Sequence, residues 1–190
     1  FRRSKWFEHV GNECLNVQNN AGLLDMTAFA KCRISGPGAE EFLDYLVANK
    51  IPKKIGRVNL CHALNTAGGV HSEFTIAKEK ENSFYLVSAG AFQRLDHDWI
   101  HKWMPKDGSV IYENLTNSMG VLVLAGPKSR DILSKITKTD LSNENFPWLS
   151  SKKINVGLAP SIAMRMNFVG ELGWELHHLS LIHISEPTRR

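Results

Sequence analysis

Apolar positions along the chain fall into two spacings. In "CRISGPGAEEFLDYLVAN" a short alternating run ends at Gly36, after which Ala39, Phe42, Leu43, Leu46 and Val47 recur three and four residues apart. The pattern predicts a strand, a turn and a helix with one apolar face. Pro37 suits the first helical turn, where its missing N–H would have no intrahelical partner. The same layout returns ninety residues later in "VLVLAGPKSRDILSKI", with Gly126-Pro127 as the turn and Ile132, Leu133 and Ile136 as the helical stripe. That period is too long for a solenoid and suits two similar half-units around one core.

Between these units, "RVNLCHAL", "GVHSEFTIA" and "SFYLVSA" read as strands, the first two joined by Asn-Thr-Ala-Gly-Gly and the next two by the polar stretch Lys78 to Asn82. A helix follows in "AFQRLDHDWIHKWM", with Phe92, Leu95, Trp99 and Trp103 on one stripe, and "SVIYENLT" leads to the second unit. "TDLSNENFPWLSSKK" reads as loop, and "PSIAMRMNFV" and "GWELHH" as two strands joined by Gly170 to Gly173. The order β-α-β-β-β-α-β-β-α-β-β predicts an α+β domain of mainly antiparallel sheets with helices on one face. "SLIHISEPTRR" carries no periodic pattern, so residues 179–190 are expected to be a non-native tail on a domain spanning 1–178.

Composition narrows this picture modestly. With 190 residues, 43% apolar and 22% charged, the chain can bury one full core. Its net charge of +4 leans towards an anionic ligand, but the basic residues are scattered and form no stripe for nucleic acid. No apolar run approaches the ~20 residues of a membrane span. Cys14, Cys32 and Cys61 fit neither a disulfide framework nor a metal-ligand spacing, which points to free thiols in a reducing compartment. The pair His177-His178, at a strand end, is expected at the surface rather than on a metal.

The glycines form neither G-x-G-x-x-G nor G-x-x-x-x-G-K-[ST], so no dinucleotide or P-loop site is expected, and no Ser or Cys stands in a nucleophile context. Two carboxylates stand out. Alternation after Gly69 puts Val70, Ser72, Phe74 and Ile76 on one strand face and His71, Glu73 and Thr75 on the other. The pattern alone allows Glu73 either in solvent or at a pocket mouth, and favours solvent. Glu175, between Trp174 and Leu176, belongs to a polar face or a pocket wall, and its local context again favours solvent.

"GLLDMTAFAKCRISGPGAEEFLDYLVAN", "LNTAGGVHSEFTI", "MGVLVLAGPKSRDIL" and "FVGELGWEL", in this order and spacing, resemble the folate-binding domain of the glycine-cleavage T-protein (aminomethyltransferase) and of flavin-dependent dimethylglycine and sarcosine dehydrogenases. The resemblance covers Trp6 to His178, and "KWFEHVGNE" with "DLSNENFPWL" looks like the dehydrogenase branch. It implies a fragment truncated at both ends, with FAD held by an upstream domain and tetrahydrofolate as co-substrate. The implied activity is capture of a methyl carbon, oxidised from a small N-methyl amine, as 5,10-methylenetetrahydrofolate. The implied setting is the mitochondrial matrix of a eukaryote, or the cytoplasm of a bacterium.

Residue by residue, the resemblance makes Glu73 the acid at the one-carbon nitrogens, although T-proteins usually show two adjacent acids where this chain has Ser72 and Glu73. Glu175 corresponds to the carboxylate on the pterin's amino-pyrimidine edge, and Phe168 to a stacking Tyr. Leu60 and Ala89 stand at binding positions that are often Tyr and Asn. The alternatives are a stand-alone aminomethyltransferase, and a catalytically silent folate-binding or assembly-factor module.

Overall fold

The structure, a computed structural model, describes residues 3–179. Two five-stranded antiparallel sheets face one another. The first contains β2 (Ala30–Ser35), β3 (Val58–Leu64), β4 (Val70–Lys80), β5 (Ser83–Ser88) and β6 (Ile111–Asn114), in the order β3-β4-β5-β2-β6. The second contains β1 (Gly22–Asp25), β7 (Met119–Ala125), β8 (Ser151–Val156), β9 (Ala159–Met164) and β10 (Gly173–Leu179), in the order β8-β9-β10-β7-β1. Helices α1 (Phe7–Asn19), α2 (Ala39–Leu46), α3 (Gln93–Trp103) and α4 (Ser129–Leu133) complete the described residues. The architecture is the expected α+β one, and every expected element appears in the expected order.

The two sheet orders reveal how the half-units combine. Each unit runs strand, strand, helix and then three strands, and its leading strand pairs with the other unit: β1 with β7, and β6 with β2. The repeated Gly-Pro turns are alike in detail. Gly36 and Gly126 adopt φ of 111° and 122°, a region costly for any residue with a Cβ. A Cβ on Gly36 would collide with the Ser109 carbonyl, and one on Gly126 with the Val17 and Asn20 carbonyls. Two residues after each glycine, an N–H closes onto the same partner: Gly38 donates to Ser109 O at 3.0 Å and Lys128 to Asn20 O at 2.8 Å.

Three layers of core follow from strand alternation. Phe74, Ile76, Phe84 and Leu86 turn outward from the first sheet onto Phe42, Leu43, Leu46 and Ile100 of α2 and α3. Trp174, Leu176 and Leu124 turn outward from the second sheet onto Leu133 and Phe146. The inner faces meet through Val58, Ala77, Tyr85, Val87, Met119 and Met164. Each fully buried Phe or Leu contributes about 1.5–3 kcal/mol relative to exposure.

Some expectations shift. α1, β1 and β8 were not foreseen, and Ser151 to Lys153 of the supposed loop belong to β8. The β4–β5 connection is shorter than Lys78 to Asn82, because β4 continues to Lys80. On α3 the buried residues are Asp96 and Ile100, with Trp99 and Trp103 partly buried, while Phe92 and Leu95 are exposed. Phe92 lies outside the helix, in the 3-10 turn Gly90–Phe92 that precedes α3. Of the α4 stripe only Leu133 is buried. Leu179, the first residue assigned to the tail, pairs with Met119 as the end of β10; residues 180–190 lie outside the described residues.

Candidate functional site

A cavity of about 520 Å³ opens between the inner faces of the two sheets, within the usual range of about 300–1,000 Å³ for small-molecule sites. β4 and β5 supply one wall through Ser72, Glu73, Thr75, Val87 and Ser88; Met26 and Phe29 come from the β1–β2 connection, and Phe168 and Glu175 from the opposite half-unit. Glu73 and Glu175 thus share one cavity. Ala89 joins the wall just beyond β5, and Phe168 stands at its rim, 63% exposed. Leu60 does not join it. The residue lies on edge strand β3 opposite Thr75, hence on the same sheet face, but one strand further out and 40% exposed.

Glu175 is not solvated: it is 2% exposed and lies between the sheets. Nor is His177 a surface residue. It is fully buried on the same inward face, 5.3 Å from the Tyr85 ring in an edge-to-face contact. Tyr85 Oη lies 3.1 Å from His177 Nδ1, and His177 Nε2 lies 3.2 Å from Glu175 Oε2. A carboxylate only accepts hydrogen bonds, so Nε2 carries the hydrogen and, in a neutral imidazole, Nδ1 accepts from the phenol. Burial, with Glu79 as a lesser cause, pushes the Tyr85 phenol well above its ordinary value and keeps it a donor. The chain Tyr85→His177→Glu175 therefore anchors Oε2. Among the described residues Oε1 receives no hydrogen bond, leaving a buried acceptor for a ligand.

Glu73 is held differently. β3 and β4 place His62 directly opposite it, and His62 Nε2 sits 2.9 Å from Glu73 Oε2. Asn49 Oδ1 accepts the His62 backbone N–H at 2.8 Å, which fixes that amide's orientation, and lies 3.3 Å from His62 Nδ1. One ring nitrogen of His62 therefore faces the Glu73 carboxylate and the other the Asn49 carbonyl oxygen. The Glu73 side chain is 45% exposed, so the pattern's preference for solvent and the resemblance's pocket wall each describe part of it. The supposed solvent face is in fact an inter-sheet wall, since Thr75 and Ala77 are buried on it.

His71 departs from that face. The register shift between Ala63 and Leu64 leaves it as a bulge, and its ring stacks on Trp99 of α3 at 3.9 Å, with Nε2 buried and unpartnered. The three cysteines are free thiols, and the described residues contain no cluster able to hold a metal. His62, Tyr85 and His177 were missed as site residues. Only His62 had a readable signal, since a hairpin across the Gly-Gly turn places it near Glu73.

Comparison with known proteins matches residues 1–181 to the GCVT N-terminal domain. The chain belongs to that family. It is 38% identical over 179 residues to mitochondrial dimethylglycine dehydrogenase of Mus musculus, covering 94% of this chain and 20% of that protein. It is 31% identical over 180 residues to the mitochondrial pyruvate dehydrogenase phosphatase regulatory subunit of Mus musculus, covering 93% and 20%. The solved glycine cleavage system aminomethyltransferase T of Bartonella henselae superposes with a TM-score of 0.75 over 87% of this chain and 44% of that one, at 23% identity, which speaks to the fold alone. The chain spans about a fifth of the length of each of these two curated relatives. It is a T-protein-like domain of the kind found in dimethylglycine and sarcosine dehydrogenases.

Proposed function

We propose that this domain binds tetrahydrofolate in the inter-sheet cavity, as the one-carbon acceptor of an FAD-dependent N-methyl amine dehydrogenase. The observation that carries the reading is Glu175: a buried carboxylate, oriented from behind by His177 and Tyr85, with Oε1 left for a donor inside a cavity of folate-compatible size. The amino-pyrimidine edge of a pterin presents two N–H donors to two carboxylate oxygens. Phe168 supplies a ring at the rim, and the backbone at Ala89 lines the wall between.

Tetrahydrofolate supplies two nitrogens that take up the carbon of an iminium. That exchange moves two N–H protons onto the departing amine, and Glu73 with His62 is placed to hold and pass one of them. The oxidation itself belongs to a flavin domain, since this sequence has no dinucleotide-binding glycine motif. The product is 5,10-methylenetetrahydrofolate, kept from release as free formaldehyde. The mitochondrial relatives favour a mitochondrial setting, and the free thiols agree with a reducing matrix.

A silent folate-binding or regulatory module is the second reading, favoured by the likeness to the phosphatase regulatory subunit. Calorimetric titration with tetrahydrofolate tests both. Glu175→Gln turns an acceptor oxygen into a donor facing a donor, and affinity should fall at least about tenfold. Undiminished affinity in Glu175→Gln would sink the site. Binding without any one-carbon turnover in a polypeptide that also carries the flavin domain would favour the silent module.

A further inference from the structure

Basic residues that are scattered along the sequence gather where the edge strands β3 and β8 of the two sheets meet. The turn 54–57 is closed by Arg57 N–H onto Lys54 O at 3.0 Å, and Gly56 takes φ of 80° within it. Its backbone is stitched to both sheets. Gly56 N–H donates to Lys78 O at 2.8 Å, Ser151 N–H donates to Gly56 O at 2.7 Å, and Arg57 forms an antiparallel bridge with Ser150. Lys53-Lys54 and Lys152-Lys153, far apart in the chain, are thereby brought to one rigid ridge.

Two grooves adjoin the ridge, and neither shares a lining residue with the inter-sheet cavity. One, of about 560 Å³, is lined by Lys50, Lys53, Lys54 and Arg57 together with Asp44. The other, of about 290 Å³, is lined by Lys78, Lys152 and Lys153 together with Glu79. Among the described residues the linings thus hold seven cations and two carboxylates. That surplus of five stands against a net charge of +4 for the whole chain, so the rest of the molecule is close to neutral. Glu79 is taken up by Arg33 at 2.7 Å, Asp44 lies 3.7 Å from Lys53, and Lys78 is tied to Glu40 at 2.7 Å. Lys50, Lys54, Arg57, Lys152 and Lys153 make no ion pair among the described residues.

Six of the seven cations are lysines, compact point charges suited to exchangeable contacts with carboxylates. Nucleic acid is better matched by arginine forks and by rings on which bases stack, and the described linings hold one arginine and no aromatic ring. Ile55, 62% exposed, adds an apolar contact on the ridge itself. Basic charge around an apolar contact steers an oppositely charged protein surface and fixes its register. We infer that this face docks an acidic segment of a separate protein, with carboxylates in the two grooves and an apolar side chain against Ile55. The surface is separate from the folate site, and the two readings can fail independently.

The test titrates the chain into a fluorescein-labelled peptide in which Glu-Glu pairs alternate with Leu, read by fluorescence anisotropy, with the Gln-Gln counterpart as the uncharged control. The acidic peptide should bind at least about tenfold more tightly than its counterpart. Lys54→Glu with Lys153→Glu reverses two exposed charges of the grooves and should weaken that binding at least about tenfold. Lys106→Glu with Lys128→Glu makes the same change in net charge at exposed lysines near the opposite sheet edges, β6 and β1, and should weaken it less than about twofold. Equal losses in the two variants would reduce the binding to net charge and overturn the inference, as would equal affinity for the two peptides. Tighter binding of phosphatidylserine-rich vesicles or of oligothymidylate through the same lysines would overturn it too.

Discussion

Replacing Tyr85 with Phe removes one oxygen and leaves the buried ring in place, so its consequences can be worked out closely. The ring is fully buried and packs with Val58, Ala77 and Met164 in the inter-sheet core, contacts that Phe preserves. What disappears is the hydrogen bond to His177 Nδ1 at 3.1 Å. His177 is itself fully buried, so no water stands ready to replace the phenol. An orphaned buried acceptor costs about 1–3 kcal/mol. For a domain of this size each kcal/mol lowers Tm by about 2–4 °C, so a drop of about 2–12 °C is expected. Without the phenol the imidazole loses one of its two anchors, so Glu175 Oε2 is held less firmly for a ligand. Folate affinity should then fall about tenfold along with the stability. Thermal unfolding followed by circular dichroism, calorimetric titration and the 15N shift of His177 Nδ1 read the three effects separately. A variant with unchanged Tm and an unchanged Nδ1 signal would refute the relay, whatever its affinity.

The remaining predictions concern Glu73 and Lys31. Glu73→Gln at a 45% exposed side chain should change stability by no more than about 0.5 kcal/mol. In a polypeptide that couples this domain to its flavin domain, the same change should slow one-carbon transfer roughly ten- to a thousandfold and raise the ratio of formaldehyde to methylenetetrahydrofolate; an unchanged ratio would leave Glu73 a solvated strand residue. Lys31 is 1% exposed, its Nζ donates to Thr27 O at 2.6 Å, and burial pulls its pKa from 10.5 to about 8, with Asp25 acting weakly the other way. The charged form is the costly one in the folded chain, and below pH about 8 that cost is present in full. Between about 8 and 10.5 the folded chain gives up this proton before the unfolded chain does, so wild-type stability rises with pH. Lys31→Met should therefore raise Tm by a few degrees at pH 7 and lose that advantage by about pH 10; a gain that grows with pH would contradict the assignment.

The elements legible in the sequence are those whose burial follows a regular period, and the ones missed are those whose burial does not. α2 buries Ala39, Phe42, Leu43 and Leu46, a full helical stripe, whereas α1 buries no residue and so leaves no periodic trace. β8 buries only Ser151 and Ile154, too sparse an alternation to separate from loop. Polar residues were harder. His177 looks like half of a surface pair until Tyr85, 92 residues earlier, is brought against it from the other sheet. Asp96 reads as the wet side of an amphipathic helix, and only the two serine hydroxyls beneath α3 make it a buried residue. In both cases the partner that decides the role lies on another element, and one chain's pattern of hydrophobic and polar positions holds no record of it.

The exchange of leading strands explains why chemistry gathers between the sheets at all. Each sheet borrows one strand from the other half-unit, β1 onto β7 and β6 onto β2, so the two units cannot separate without breaking both ladders. Equivalent inward positions on β5 and β10 then diverge freely. The register with β2 and β7 makes Tyr85 the counterpart of Glu175, and Val87 the counterpart of His177. One unit thus keeps a phenol and an apolar wall where the other carries a histidine and a carboxylate. The relay needs one member from the first unit and two from the second, held in register by the borrowed strands. A substitution that loosens the β1–β7 or β2–β6 pairing should therefore weaken ligand binding at Glu175 before it unfolds either sheet.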